Sequence, residues 1–149
     1  AAKLHILVES EVAGVHLATS EDGFRIVFFQ GHPEYDTVSL LKEYKREIAR
    51  FVKGECANYP PIPENYFTLK SQGILEEHRE RLQAAKSKRA PIPDFPESLL
   101  AGQIDNTWHD TAEAVINNWV GKVYQITNND RRLPFMDGVD PQDPLGLRR

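Results

Sequence analysis

The residues best placed to do chemistry are an imidazole and a carboxylate two positions apart, His32 and Glu34, on either side of Pro33. In an extended segment residues two apart point to the same side. Pro33 fixes its own φ and biases His32 toward extended geometry, so the two side chains are expected to stand close together. A carboxylate beside a histidine selects its tautomer and favours its protonated form, which suits a general base. Spacing alone leaves a second possibility open, a turn whose His and Glu merely cap the following helix. Of the other histidines, His5, His78 and His109 read as surface residues, and His16 lies within a strand where it could be packed or exposed.

The elements that must position this pair are short. Leu4 to Val8 and Gly14 to Thr19 read as strands, the second from the alternation of Val15, Leu17 and Thr19 with His16 and Ala18. Ser20-Glu21-Asp22-Gly23 is a turn, and the β-branched and aromatic run Phe24 to Phe29 predicts a strand covered on both sides. A hairpin of 14–19 with 25–29 is the expected core. His-Pro-Glu then falls at a strand end, where loops of α/β folds build their sites. A helix follows over about 37–52, with Leu41, Tyr44, Ile48, Phe51 and Val52 at helical spacing, Asp36 as N-cap and Gly54 as its stop. Pro60, Pro61 and Pro63 make 55–67 irregular. Residues 71–89 form a charged helix around Ile74, Leu75, Leu82 and Ala85, and 90–96 is a proline-rich connector. The last helix spans about 107–126, with a stripe from Trp108 through Ala112, Val115, Ile116, Trp119, Val120 and Val123. Thr107 with Asp110 resembles its cap. The tail 134–149 is too rich in Pro, Gly and Asp for regular structure, and no internal repeat is present.

Composition excludes several function classes. A net charge of −4 and a pI near 5.7 argue against a general nucleic-acid or membrane-surface binder. No apolar run approaches the roughly 18 residues of a membrane span. The 149 residues, 40% hydrophobic and 27% charged, are ordinary for one globular domain. A single cysteine, Cys56, can form neither an internal disulfide nor a multi-cysteine metal site, which suggests the cytosol. The opening Ala1-Ala2-Lys3 carries no initiator Met and runs at once into apolar residues, as expected of a chain cut from something longer.

The blocks around the pair add more. Gly31-His32-Pro33-Glu34-Tyr35-Asp36, Glu43-Tyr44 with Arg46, Asn65-Tyr66-Phe67, Trp108, Asn118-Trp119 and Val123-Tyr124-Gln125-Ile126-Thr127 occur in the same order as in the homoserine O-acyltransferases. Upstream, Glu11-Val12-Ala13-Gly14-Val15-His16-Leu17 and Asp22-Gly23 also resemble that family, so the likeness covers most of 8–67 and 108–127. The resemblance implies an α/β fold like the class I glutamine amidotransferases (flavodoxin-like), a sheet flanked by helices. It further implies a Cys-His-Glu triad that moves a succinyl or acetyl group from acyl-CoA to the homoserine hydroxyl, through a cysteine thioester, in methionine biosynthesis. On this sequence His32 would be the base and Glu34 its orienting partner. Arg46 would hold the homoserine carboxylate, and Glu43 would lie near the substrate. Periodicity alone puts Arg46 on the solvated face of its helix with Glu43, opposite Leu41, Tyr44 and Ile48. The implied co-substrate is acyl-CoA with no bound cofactor or metal, and the implied assembly is a homodimer.

The resemblance makes the chain the C-terminal portion of a single acyltransferase domain, because the family's nucleophilic cysteine lies upstream of its His-Pro-Glu block. Cys56 follows that block and does not match it. The chain also departs from the family where 68–107 is longer than the usual connector, and where Trp108-His109-Asp110-Thr111 replaces a common Trp-Arg-Ser-His. Lys86-Ser87-Lys88-Arg89 could face CoA phosphates or form a solvated helix end. Two other functions compete: a glutamine hydrolase using the same triad, which a glutaminase assay would reveal, and a non-catalytic association module. The 149-residue polypeptide is expected to transfer no acyl group by itself, and homoserine-dependent release of CoA from succinyl-CoA by the purified chain would contradict this. It is also expected to self-associate through bared sheet surface; sedimentation as a clean monomer at high concentration would count against that.

Overall fold

Alternation and β-branching in the first thirty residues produce an antiparallel meander. Strands β1 (Leu4–Ser10), β2 (Gly14–Ser20) and β3 (Val27–Phe29) lie in that order in one three-stranded sheet. β1 pairs with β2 from Leu4↔Ser20 to Ser10↔Gly14, with register irregularities at Leu7 on β1 and His16 on β2, and Leu17 to Thr19 pair with Phe29 to Val27. Gly14 closes the first turn at φ +73°, a conformation cheap only without a Cβ. The computed structural model describes residues 3–146; Ala1 and Ala2, and the last three residues of the tail, lie outside them. The chain divides into two compact units, residues 1–34 with 108–149, and residues 35–107. The architecture is α/β.

The expected strand at Phe24 to Phe29 shrinks to its last three residues. Asp22 is the cause: its carboxylate accepts from the Ser20 hydroxyl (2.6 Å) and from the Phe24 and Arg25 amides, while Ser20 Oγ accepts from the Ile26 amide. These bonds wind 20–26 into a wide loop and leave only Val27 onward to pair. Burial works against the Asp22 carboxylate, yet the Ser20 hydroxyl and the Arg25 and Phe24 amides hold its pKa below the ordinary carboxylate value. Nor is β3 covered on both sides, since Phe28 remains 45% exposed. Phe24, freed from the ladder, is buried and meets Phe135 at 6.2 Å.

Helix α4 (His109–Ile126) joins the same unit: the Trp119 indole donates to the Phe24 carbonyl at 2.5 Å. Its cap differs from the expected Thr107–Asp110 arrangement, because the helix begins at His109, with Trp108 at the cap position and no side-chain bond. Among the described residues the segment after it has no regular element, as expected, but is tied back through Met136 N to the Ile126 carbonyl and Asn128 Nδ2 to the Phe135 carbonyl.

The second unit is helical: α1 (Ser39–Lys53), α2 (Leu69–Lys88) and α3 (Glu97–Ala101), the last not anticipated. Its core is Leu41, Tyr44, Ile48, Phe67, Leu75, Leu82, Leu100 and Ile104. Both ends of α1 are held from outside the helix. Tyr66 Oη donates to the Thr37 carbonyl (2.6 Å) and accepts from the Leu41 amide. At the other end Lys86 Nζ donates to the Phe51 carbonyl (2.7 Å), a cation at the negative pole of the helix. Lys86 makes this bond while remaining exposed at the end of α2, the solvated helix end that its sequence suggests. Asp36 is not the N-cap, which is Val38; it works two positions earlier, accepting from the Val38 amide and the Ser39 hydroxyl. Gly54 ends the helix at φ +81°, as expected.

His78 corrects another expectation. It is buried, edge-on to Phe95 with ring centroids 5.5 Å apart. Ser71, Leu75, His78 and Leu82 form the buried stripe of α2 at spacings of four, three and four, so His78 occupies a core position. Burial pushes its pKa below the ordinary 6.5, Arg81 pushes the same way, and the Pro93 backbone opposes. Truncating Leu75, which is wholly buried, to Ala should lower stability by about 2–5 kcal/mol in urea denaturation. For His78, the unfolded chain binds the proton more readily than the folded one. Stability contributed by neutral His78 is therefore present above the ordinary value near 6.5 and is lost as pH falls toward the depressed folded pKa. Unfolding midpoints measured from pH 7.5 down to 5 should fall, and His78→Leu should flatten the slope; an unchanged slope would acquit His78.

Candidate functional site

The β2–β3 ladder ends where the Gln30 amide donates to the His16 carbonyl (2.9 Å). Gly31 follows, and the His16 ring passes so near it that a Cβ there would lie 3.3 Å from His16 Cε1. Pro33, lacking an N–H, cannot extend the ladder. The chain turns at Pro33 and Glu34 instead of running extended. The turn still brings the side chains together: His32 Nδ1 lies 2.7 Å from Glu34 Oε1. Both are largely exposed, at 60% and 68%. The hydrogen bond from His32, aided by the Glu34 backbone, holds the Glu34 carboxyl below its ordinary pKa. With Nδ1 turned to the carboxylate, Nε2 carries the lone pair that can accept a proton. Neither residue caps α1, whose start is organised by Asp36 and Tyr66.

His32 borders a cleft of about 360 Å³ within its own unit, between the sheet and the first turns of α4. Leu17, Phe29, Trp108 and Ala112 supply apolar walls, and His16 lies on the same rim, edge-on to Phe29 at 6.4 Å. An imidazole oriented by a carboxylate beside an apolar cleft can move protons for a substrate held there.

The other two candidates lie in the helical unit. Arg46 and Glu43 form an exposed pair, Nη2 to Oε1 3.5 Å, and Arg46 Nε also approaches Glu47 Oε1 at 3.7 Å. Glu43 additionally accepts from the Tyr35 hydroxyl (2.9 Å). Leu41, Tyr44 and Ile48 are buried on the opposite side of α1, as periodicity requires. Cys56 is a free thiol, partly exposed, in the irregular stretch after α1. The structure thus joins His32 to Glu34 and Arg46 to Glu43. Sequence reasoning missed His16, Thr111 and the Tyr35–Glu43 bond. The first two are brought to the cleft by strand pairing and helix placement; the third had a signal, a tyrosine and a glutamate in adjacent matched blocks.

Among the described residues no cluster of His, Cys, Asp and Glu could hold a metal ion, and no helix is long and apolar enough to cross a membrane. The profile of the family described as homoserine O-succinyltransferase matches residues 1–129. Three curated relatives bearing that name are similar over nearly the whole chain. The protein of Thioalkalivibrio nitratireducens is 64% identical over 147 residues, covering 99% of this chain and 41% of the relative. That of Nitrosococcus oceani is 64% identical over 149 residues, covering 100% and 42%. That of Allochromatium vinosum is 63% identical over 146 residues, covering 98% and 41%. The chain therefore spans about two fifths of the length of the curated relatives it matches. The stretch 68–107 lies within the span shared with them. No solved structure matches the chain.

The His32–Glu34 bond makes a direct prediction. A depressed Glu34 pKa means that the carboxylate contribution is present above the ordinary value of 4.5 and is lost as pH falls through the lower folded pKa. In a carbon-13 carboxyl titration by NMR, Glu34 should titrate below 4.5, and His32→Ala should move it back up toward that value. An unmoved Glu34 resonance would show that the pair does not form in solution.

Proposed function

Because the chain belongs to the homoserine O-succinyltransferase family, we propose that it supplies the base and its orienting carboxylate for succinyl transfer from succinyl-CoA to homoserine, a step of methionine biosynthesis in the cytoplasm. The observation that carries this is the 2.7 Å bond between His32 Nδ1 and Glu34 Oε1 beside the apolar cleft. The thiol that carries the acyl group is not Cys56, and belongs to the portion of the relatives that this chain does not match. His32 Nε2 takes the proton of that thiol. The thiolate attacks the succinyl carbonyl, and the departing CoA sulfur takes the proton back from the imidazolium. In the second half-reaction Nε2 takes the proton of the homoserine hydroxyl as its oxygen attacks the thioester, then returns it to the leaving cysteine sulfur. Glu34 stabilises the imidazolium present in each half and fixes the ring orientation.

Arg46 is the proposed ligand of the homoserine carboxylate. Its present contacts at 3.5 and 3.7 Å are long and exposed, worth little in water, so a bidentate substrate carboxylate displaces them at small cost. Glu43, fixed by Tyr35, steadies that guanidinium close to the substrate. The three-stranded sheet is proposed as part of a wider class I glutamine amidotransferase-like sheet in a single acyltransferase domain. Self-association or a homodimer completes the proposal, supported by a β1 that is exposed along its whole length.

Joining the chain to the unmatched portion of the Thioalkalivibrio relative tests this. The chimaera should release CoA from succinyl-CoA only when homoserine is present. His32→Ala should lower kcat by about 10²–10⁴-fold, the usual worth of a positioned base, and Arg46→Ala should chiefly raise KM for homoserine. A chimaera inert under conditions where the intact relative is active, or one that hydrolyses glutamine instead, would defeat the proposal.

A further inference from the structure

A second groove in the first unit, at the far end of α4 from the His32 cleft, has chemistry that proton transfer does not use. Its volume is about 570 Å³ and its wall carries three guanidinium groups, Arg25, Arg131 and Arg132, with Tyr124, Asn128 and Thr127 and no carboxylate. On a chain of net charge −4 such a wall is unusual. Two of the arginines have partners outside the wall. Arg25 Nε lies 3.2 Å from Asp22 and its guanidinium stands over the Phe135 ring, while Arg132 makes a forked pair with Asp130. Those pairs orient the two side chains, and exposed pairs of this kind exchange readily for a stronger anion. Arg131 forms no ion pair among the described residues. Tyr124 is 78% exposed, a ring presented to solvent beside the cations.

The space between the two grooves is also specific. Ile116, Val120 and Tyr124 recur every four residues and are all exposed, and Ala112, one step earlier, lines the His32 cleft. They form a continuous apolar ridge along α4. Twelve residues of helix span about 18 Å, so the ridge joins an imidazole at one end to an arginine cluster at the other. A ligand suited to all three parts has a reactive group, a flexible and mainly apolar arm, and a phosphorylated aromatic head.

We infer that the Arg25–Arg131–Arg132 groove is the seat of the nucleotide end of acyl-CoA, its phosphates on the guanidiniums and its adenine against Tyr124. The inference rests on the acyl transfer proposed above, which names CoA as the donor but not where its nucleotide lies. Guanidinium forks match phosphate oxygens bidentately, and a flat ring accepts adenine by stacking.

The probe is 3′-phosphoadenosine 5′-diphosphate, titrated calorimetrically into the 149-residue chain. Saturable binding that weakens as salt rises is expected. Arg131→Ala should weaken it about tenfold, the loss of one charge-assisted bond, and Arg131→Lys should restore part of it. Tyr124→Ala should weaken the nucleotide but leave inorganic pyrophosphate unchanged. No saturable binding would overturn the inference, as would equal affinity in a folded Arg131→Ala variant, checked by circular dichroism, with Arg25→Gln as a second variant. Equal binding of pyrophosphate and nucleotide would overturn the adenine seat. In the chimaera, succinyl transfer with an unchanged KM for succinyl-CoA after Arg131→Ala would remove the groove and leave the acyl transfer standing. Nucleotide binding with no transfer would do the reverse.

Discussion

Ladder pairing between β2 and β3 has to stop after Gln30, because the next residues are a glycine overlain by an imidazole and, two positions on, a proline with no amide hydrogen. The consequences extend through the first unit. The chain leaves the sheet as a turn, the turn sets His32 Nδ1 and Glu34 2.7 Å apart, and the interrupted strand end opens onto the cleft flanked by α4. A longer β3 would keep His32 and Glu34 on one face of the sheet but roughly 7 Å apart along the strand, instead of at hydrogen-bond distance. The short strand is in turn enforced at its other end by Asp22, whose bonds to Ser20, Phe24 and Arg25 keep 20–26 out of the ladder.

The second unit obeys a different constraint, the unsatisfied backbone groups at the two ends of α1. Side chains distant in sequence help to meet them, Tyr66 at the start beside Asp36 and Lys86 at the finish beside the backbone amides of Gly54 and Glu55. The bonds of Tyr66 and Lys86 tie the proline-rich 55–67 segment and α2 to one helix. Its buried face then packs Leu41, Tyr44 and Ile48 while its exposed face presents Glu43 and Arg46.

Much of this was legible in order. Helical spacing located α1, α2 and α4 to within about two residues. The stop at Gly54, the irregular proline-rich stretches and the first two strands were also readable from local chemistry. The pair His32 and Glu34 stood out because proline limits the local geometry enough to act through two residues. Errors fell where a side chain was claimed by something remote. Phe24 looks like a strand residue but is drawn into a loop; His78 looks like a surface residue but completes a buried stripe. The spacing 71, 75, 78 and 82 carried that last signal, which residue polarity concealed.

By itself the sequence determined the family, through ordered blocks over most of 8–67 and 108–127, and the juxtaposition of His32 with Glu34, because both depend on residues close together or on order along the chain. The tertiary structure decided what surrounds them. His16, Trp108 and Ala112 reach the His32 cleft, and Arg25 joins Arg131 and Arg132, only through strand pairing, the Trp119 bond to Phe24 and the folding back of the segment after α4. The physical reason is separation: local spacing fixes contacts across one turn or one pleat, whereas contacts across many tens of residues are chosen by which packing buries apolar surface and satisfies backbone groups together.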